Sequence, residues 1–333
     1  MSLAAGKWTG GAQQMANGIG KAEFDAVNPT FDRIAALERL PDDAPVVKQH
    51  VVSKVLLQRF AHRDRKDPKV RAYTLAYGKS TLKSPGSIGY FNHFVRFRSA
   101  VAEKLWQDTE NRLSQALRAV DDRTIFSRPE HVETIKRAIV LHYFRTEQTR
   151  QIHETVWDEA LAQTKSDLLK HPERLRELAR QRFGAGWDDS QGLTPIVDDL
   201  VAGAVKLHDT EVLFQARLED LFRKGQDIVA SRHLEISESV SADFILGDSP
   251  AVAFQAGHLW PRVALLDAGT VALPLSRTKV ASLGPADVWQ RVDNTVVERL
   301  NVIEIQQANR QVYFHPLSNL DAFIRRTRPP SSV

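Results

Sequence analysis

The sequence predicts an α+β fold that is predominantly helical, with a small antiparallel sheet formed largely by the C-terminal third. Between residues 100 and 222, apolar side chains such as Trp106, Leu113 and Leu117 recur on one helical face. From His233 onward the pattern changes to short β-rich runs separated by Gly, Asp and Pro, which is typical of a meander. Helices and strands segregated along the chain in this way indicate an α+β fold.

Residues 1–27 are rich in Gly, Ala and Gln and show little periodicity, so we expect a flexible N-terminal arm. Residues 28–333 are expected to form a single α+β domain that begins with a short helix after Asn28-Pro29. The clearest interruption lies near residues 184–190, where the domain could be divided into lobes. After Pro285 we expect a last long helix that ends near residue 309.

The stretch from Lys48 to Lys83 holds ten Lys and Arg residues against two acids, which predicts an anion-binding surface. Its first half carries an apolar stripe at helical spacing, so we expect a helix held against the core. On that helix His50 and Ser53 would share a face, with Gln49 as a supporting residue and Lys48 at the anion-binding end.

His50 is a candidate general acid or base because an imidazole titrates near neutral pH, and Ser53 is its candidate catalytic neighbour. Asp248 is the third candidate catalytic residue and a candidate Mg²⁺ ligand, since it follows an apolar strand on a Pro-bounded turn with Ser249 in support. Two structural alternatives stay open: His50 and Ser53 cap a helix, and Asp248 forms a hydrogen-bonded turn.

Arg145, Arg150 and Arg310, together with Lys48, are candidate phosphate-binding residues, because guanidinium groups bind phosphate in a bidentate manner. The alternative is that Arg145, Arg150 or both form salt bridges with Glu147, Glu154 or Asp158. Asn301 and Asn309 are candidate supporting residues; Asn301 lies in an apolar stretch and needs a polar partner, which favours a role in holding the fold.

Composition and missing motifs narrow the classes of function. The 333 residues have a formal net charge of +4 and no cysteine, which excludes disulfides, thiol catalysis and thiolate metal sites. No apolar run is long enough to span a membrane and no leader pattern is present, so we expect a cytoplasmic protein without membrane contact. The patterns GxxxxGK[ST], GxGxxG, HExxH and GxSxG are all absent.

Several segments are distinctive as an ordered series. They read KQHVVSKVLLQRF (48–60), SPGSIGYFNHF (84–94), RTEQTR (145–150), FILGDSPAV (244–252) and LNVIEIQQANRQVYF (300–314). In this order they resemble a bacterial family catalogued as domain of unknown function 4238. The resemblance implies a shared mixed helical fold and brings no established activity.

We therefore expect a phosphate-rich ligand, with nucleic acid as the best fit to the charge pattern. The hypothesis for a reaction is phosphodiester cleavage by a nuclease-like effector, such as a toxin or a phage-defence protein. In it His50 is the acid or base, Lys48 and Arg145 neutralise phosphate charge, and Asp248 orients His50 or holds Mg²⁺. The alternative is a non-catalytic interaction or scaffolding module that docks on an acidic partner protein.

Overall fold

The computed structural model describes residues 31–39, 46–62, 67–96, 99–184, 192–255 and 263–328. Within these ranges the helices are α1 (Phe31–Arg39), α2 (Lys54–Arg59), α3 (Ser99–Asp121), α4 (Pro129–Phe144), α5 (Glu147–Leu169), α6 (Pro172–Phe183), α7 (Thr194–Asp209), α8 (Val212–Ala230), α9 (Asn294–Gln307) and α10 (Asp321–Thr327). The strands are β1 (Lys48–His50), β2 (Val70–Thr74), β3 (Lys79–Lys83), β4 (Tyr90–Asn92), β5 (His233–Ser239), β6 (Leu246–Gly247), β7 (Val252–Phe254), β8 (Thr270–Ser276), β9 (Lys279–Gly284), β10 (Val288–Val292) and β11 (Gln311–Phe314).

The predicted α+β class is confirmed, and the C-terminal third forms a largely antiparallel sheet as predicted. The largest sheet has the order β10-β5-β9-β8-β7 and comes wholly from the C-terminal third, but its β10–β5 pair is parallel. A second sheet, β3-β2-β11-β6, joins strands from both ends of the chain. The predicted N-terminal arm lies outside the described residues, and so does the predicted break near residues 184–190 apart from Gly184.

The main hydrophobic core lies where α3, α4 and α8 pack together and against the five-stranded sheet. It includes Leu113 of α3, Ile139 of α4 and Ile236 of β5, each 0% exposed. A smaller, separate core joins α6 to α7 through Leu175 and Ile196. Two long amphipathic helices can bury such stripes only against each other or a sheet, so the core follows from the helical periodicity.

Two predicted helices begin later than the sequence pattern indicated. Lys48–His50 is a strand paired antiparallel with Tyr90–Asn92, and α2 begins only at Lys54. The apolar pair Val51 and Val52 forms the bend between them, because both backbone N–H groups donate to the carbonyl of Gly89. The segment after Pro285 likewise first forms β10, and α9 starts after Asp293, whose carboxylate accepts the N–H of Val296.

None of the helices in the described ranges is long and apolar enough to cross a membrane.

Candidate functional site

Three separated segments bring six polar side chains together beside α2, and we call this group the ionisable cluster. The strand β1 supplies His50, and the residue before α2 supplies Ser53. The helix α3 contributes two acids spaced two turns apart, and the end of α4 contributes a histidine and an arginine. The full set is His50, Ser53, Glu103, Glu110, His142 and Arg145.

Arg145 is the centre of the ionisable cluster. Its guanidinium is only 1% exposed, donates to Glu110 Oε1 at 2.6 Å and to Ser53 Oγ at 3.3 Å, and lies 5.0 Å from the Trp106 ring centroid. Burial disfavours the charge on Glu110, but Arg145 and the Ser53 hydroxyl outweigh it and hold the pKa of Glu110 below its usual value. Arg145, one of the predicted phosphate ligands, is thus buried and already paired with Glu110.

The Ser53 side chain does not cap α2, so the structural alternative from the sequence is not what the fold uses. Its hydroxyl donates to Glu110 Oε1 at 2.5 Å, and its backbone N–H donates to His142 Nε2 at 3.1 Å. His142 Nδ1 lies 2.7 Å from the carbonyl of Ala138, which assigns the ring proton to Nδ1. Burial, with the nearby Arg145 charge, lowers the pKa of His142 to about 4 and keeps the imidazole neutral.

Three members of the ionisable cluster carry buried polar atoms without a partner among the described residues. They are Nε2 of His50, Oε1 of Glu103, and Nε and Nη1 of Arg145. Burial lowers the pKa of His50, and the Arg145 charge acts in the same direction. Burial raises the pKa of Glu103, whereas the pKa of Glu110 is lowered. The pKa values of the two carboxyl groups are therefore shifted in opposite directions. Buried polar atoms without a partner are rare in folded proteins, so these four make the ionisable cluster a candidate functional site.

A second feature, which we call the polar cavity, has a volume of about 390 Å³ and lies beside β4. Tyr90, Phe91, Lys83, Asp248 and Arg310 contribute to its wall. Tyr90 joins the cavity to the ionisable cluster, because its ring also makes an edge contact with the His50 ring at a centroid distance of 6.1 Å. Lys48 lies over the same Tyr90 ring at 5.1 Å, and Arg310 lies over Phe91 at 4.2 Å.

Asp248 holds the backbone at the start of β11. Its Oδ1 accepts the N–H of Asn309 at 2.8 Å, and its Oδ2 accepts those of Arg310 at 2.8 Å and Gln311 at 3.0 Å. Burial raises the pKa of Asp248 while these three N–H groups act against that shift. The hydrogen bonds correspond to the turn-forming alternative, and no contact between Asp248 and His50 occurs among the described hydrogen bonds.

The predicted supporting residues make structural hydrogen bonds. Gln49 pairs in both directions with the backbone of Val95, and Asn309 Nδ2 donates to Ser249 Oγ at 3.3 Å. Asn301 accepts the N–H of Ile245 and donates to the carbonyl of Asp243, so it fixes the segment that leads to Asp248. The expectation that a buried Asn301 needs polar partners is confirmed.

The other predicted arginines form ion pairs. Arg150 contacts Glu211 and, at 3.4 Å, Glu154, which is one of the salt bridges that the sequence left open as an alternative. Arg310 pairs with Glu147, yet its side chain stays 60% exposed and faces the polar cavity. Of the four predicted phosphate ligands, Lys48 and Arg310 are therefore the two that lie at the surface beside an aromatic ring.

Sequence reasoning missed Glu103, Glu110, Tyr90 and Phe91. A signal for the two acids existed, because they lie three residues before and four residues after the buried Trp106, on the same face of α3. The aromatic pair was visible only as part of a Gly-punctuated loop. Within the described part of the chain, no group of three or more His, Asp or Glu side chains could hold a metal ion.

Comparison with known proteins gives one match. The profile of the family described as "Protein of unknown function (DUF4238)" matches residues 48–318, which include the ionisable cluster and the polar cavity. No curated protein and no solved structure matches the chain.

Proposed function

The chain belongs to the DUF4238 family of proteins of unknown function, and from its own site we propose that it binds single-stranded nucleic acid. The proposed surface, which we call the aromatic-basic face, consists of Lys48, Lys83, Tyr90, Phe91 and Arg310. The observation that carries the proposal is that two cations each lie over an aromatic ring of β4, Lys48 over Tyr90 and Arg310 over Phe91, and that both aromatic residues contribute to the wall of the polar cavity.

Single-stranded nucleic acid needs two kinds of contact, and the aromatic-basic face offers both. Bases stack on aromatic rings, and cations beside the rings bind the backbone phosphates. A base that stacks on Phe91 would displace the Arg310 guanidinium toward the adjacent phosphate, where its five N–H donors suit two phosphate oxygens. Lys83 makes no ion pair with any described residue, so its charge is available to a ligand.

The two acids in the wall of the polar cavity do not cancel this positive character. Glu147 is paired with Arg310, and both Asp248 oxygens already accept backbone N–H groups. Arg310 and Glu147 therefore compensate each other, and the cations near the aromatic rings that have no ionic partner among the described residues are Lys48 and Lys83.

Binding is tested by fluorescence anisotropy with labelled single-stranded RNA and DNA over a range of salt concentrations. Lys48 and Lys83, the two cations of this surface without an ionic partner among the described residues, predict a log-log slope of affinity against salt of about −1.4, at about −0.7 per phosphate. Lys83→Gln should make the slope shallower by about 0.7. Phe91→Leu should weaken binding by about 1–3 kcal/mol at every salt concentration, because one stacking contact is lost.

The matched control for Lys83→Gln is Lys206→Gln, which removes an exposed lysine on α7, away from the wall of the polar cavity. It should leave affinity and slope unchanged apart from a small long-range effect. A flat salt response, or equal effects of the two lysine variants, would contradict the proposal and favour a module that docks on a partner protein.

The second candidate function is cleavage of the bound strand, and the observation that favours it is the unpartnered Nε2 of His50. Because this atom is buried, the proposal requires that the Tyr90 ring in contact with His50 moves aside when the strand binds. Because burial lowers the pKa of His50, the imidazole is a neutral base at pH 7. It can take the proton from a 2′-hydroxyl of RNA, whose oxygen then bonds to phosphorus while the bond from phosphorus to the 5′-oxygen breaks. The leaving 5′-oxygen needs a proton, and Glu103 is the candidate acid because its pKa is raised.

Cleavage is tested with end-labelled RNA and with the same sequence as DNA, each in Mg²⁺ and in EDTA. The 2′-hydroxyl route predicts that RNA is cut in both conditions and that DNA stays intact. A requirement for Mg²⁺ would instead favour the predicted metal site at Asp248. His50→Gln should abolish cleavage without a change in RNA affinity, whereas His171→Gln, which alters an exposed histidine before α6, should cleave as the wild type does. Intact RNA throughout, or unchanged cleavage by His50→Gln, would exclude this second function.

A further inference from the structure

A larger cavity, which we call the sheet cavity, has a volume of about 530 Å³ and lies between the five-stranded sheet and α9. It shares no wall residue with the polar cavity. Cavities of about 300–1,000 Å³ are the size that proteins use for small-molecule ligands.

The floor of the sheet cavity is a row of small and medium side chains on one face of the sheet. Ser237 of β5 lies opposite Gln290 of β10 and Val280 of β9, and Ala272 of β8 lies opposite Ser282 of β9. Three of these five are Ser or Ala, which leave space where larger side chains would reach the helix above. The Ser237 hydroxyl accepts a hydrogen bond from the Gln290 amide at 3.1 Å, so this polar wall is internally ordered.

The roof of the sheet cavity is one face of α9. Val296, Arg299, Leu300 and Ile303 all line the cavity, at the three- and four-residue spacings that place them together on a helix. A different face of the same helix carries Asn301, whose hydrogen bonds to the backbone before β6 hold the helix in position. The helix is thus anchored elsewhere, and its cavity-facing side chains remain open to a ligand.

Among the described residues that line this cavity, Arg299 is the one with a formal charge. It is exposed and forms no ion pair within the described ranges. A cavity with a largely apolar wall, a few hydroxyl and amide groups and one unpaired guanidinium at its edge suits a molecule that has an apolar body and one anionic group. The planar fork of arginine matches the two oxygens of a carboxylate.

We propose that the sheet cavity binds a small organic monocarboxylate, with its apolar body between α9 and the sheet and its carboxylate on Arg299. The proposal is independent of nucleic-acid binding, because the two sites have no residue in common. Either site can therefore fail its test without any consequence for the other.

Isothermal titration calorimetry of the full chain tests the proposal with two acids, decanoate and 1-naphthoate, and with the matching neutral alcohols. At least one acid should bind more tightly than its alcohol. Whether decanoate or 1-naphthoate binds more tightly shows whether the cavity prefers an aliphatic or an aromatic ligand. Arg299→Gln should weaken the binding of that acid about tenfold, as expected for loss of one charge-assisted hydrogen-bonded pair. It should leave the affinity for the alcohol unchanged.

The matched control is Arg291→Gln. Arg291 is also exposed and forms no ion pair within the described ranges. It lies between Gln290 and Val292 on β10 and so projects from the opposite face of the sheet. Its variant should bind both acids as the wild type does. Ser282→Leu should weaken the binding of acid and alcohol alike, because the larger side chain fills the cavity. If that variant does not fold, the comparison of Arg299→Gln with Arg291→Gln still tests the proposal. Equal binding of acid and alcohol, no binding of either acid, or equal losses in the two arginine variants would overturn the proposal.

Discussion

His142 is a buried imidazole whose neutral form the fold requires. Both ring nitrogens are used, one as a donor to Ala138 and the other as an acceptor from Ser53. Its pKa is about 4 in the folded protein, against 6.5 for an ordinary histidine. Between these two pH values the unfolded chain binds a proton at His142 that the folded chain excludes. The contribution of His142 to stability is therefore fully present above about pH 6.5 and is lost as the pH falls toward 4.

We expect His142 alone to contribute a loss of about 3 kcal/mol in the free energy of unfolding over that pH range. The measurement is urea unfolding at a series of pH values for the wild type and for His142→Gln. The difference in unfolding free energy between the wild type and His142→Gln should shrink as the pH falls, because only the wild type loses the stabilisation that depends on a neutral His142. His153, whose pKa burial lowers to about 3, keeps part of the acid sensitivity in both proteins.

The control is His171→Gln, which changes an exposed histidine before α6. Its unfolding free energy should run parallel to that of the wild type across the whole pH range. A constant difference between the wild type and His142→Gln, independent of pH, would contradict the assignment of a neutral buried imidazole.

At the scale of single residues, the sequence identified His50, Ser53 and Arg145 because their side chains carry recognisable chemistry. It did not identify Glu110, which pairs with Arg145 across 35 positions and with Ser53 across 57. Helical spacing says which residues share a face but not which helix that face meets. The partners of a buried charge therefore become visible only when the helices are packed.

Among the elements, the ribbon formed by β1 and β4 positions both His50 and Tyr90. Gly89 closes it: its φ of +70° lies in the region that favours glycine, and its carbonyl accepts the N–H groups of Val51 and Val52. A Cβ at this position would lie 2.7 Å from Leu57 Cδ1, and Leu57 is fully buried. The ribbon thus fits against α2 only with glycine at this turn.

Gly89→Ala should lower the free energy of unfolding by about 2–4 kcal/mol, which combines the unfavourable φ with overpacking against Leu57. Gly192→Ala is the matched control, since Gly192 has a φ of +73° but nothing within 4 Å of the added methyl group. It should cost only about 1–2 kcal/mol, from the backbone term alone. Chemical denaturation of the three proteins measures both values. Equal effects at the two glycines would show that the contact with Leu57 is unimportant.

Element boundaries were harder to predict than element types. The sequence from Lys48 to Phe60 has helical periodicity, yet its first three residues pair with β4, 40 to 44 positions away. The segment before α9 likewise becomes a strand because the edge of β5 is available to it. In both places a long-range backbone pairing overrides the local pattern, and a local pattern carries no information about it.

On the scale of the whole molecule, stability is distributed between unequal cores. The main core spans α3, α4, α8 and the five-stranded sheet, whereas α6 and α7 share a small separate one built on four fully buried residues. These four are Leu175, Ala179, Ile196 and Val197. A region with few buried apolar side chains opens more readily than the rest of the protein.

We therefore expect amide hydrogen exchange to be faster in α6 and α7 than in α3 or β9. Leu175→Ala should accelerate exchange further in α6 and α7 and leave β9 protected, because the change opens only the small core. Leu113→Ala is the matched substitution in the main core and should reduce protection everywhere, with a global loss of about 2–5 kcal/mol. Exchange detected by mass spectrometry separates these patterns, since local opening is confined to peptides of α6 and α7. If Leu175→Ala reduced the protection of β9 as much as Leu113→Ala does, the two cores would unfold as one cooperative unit.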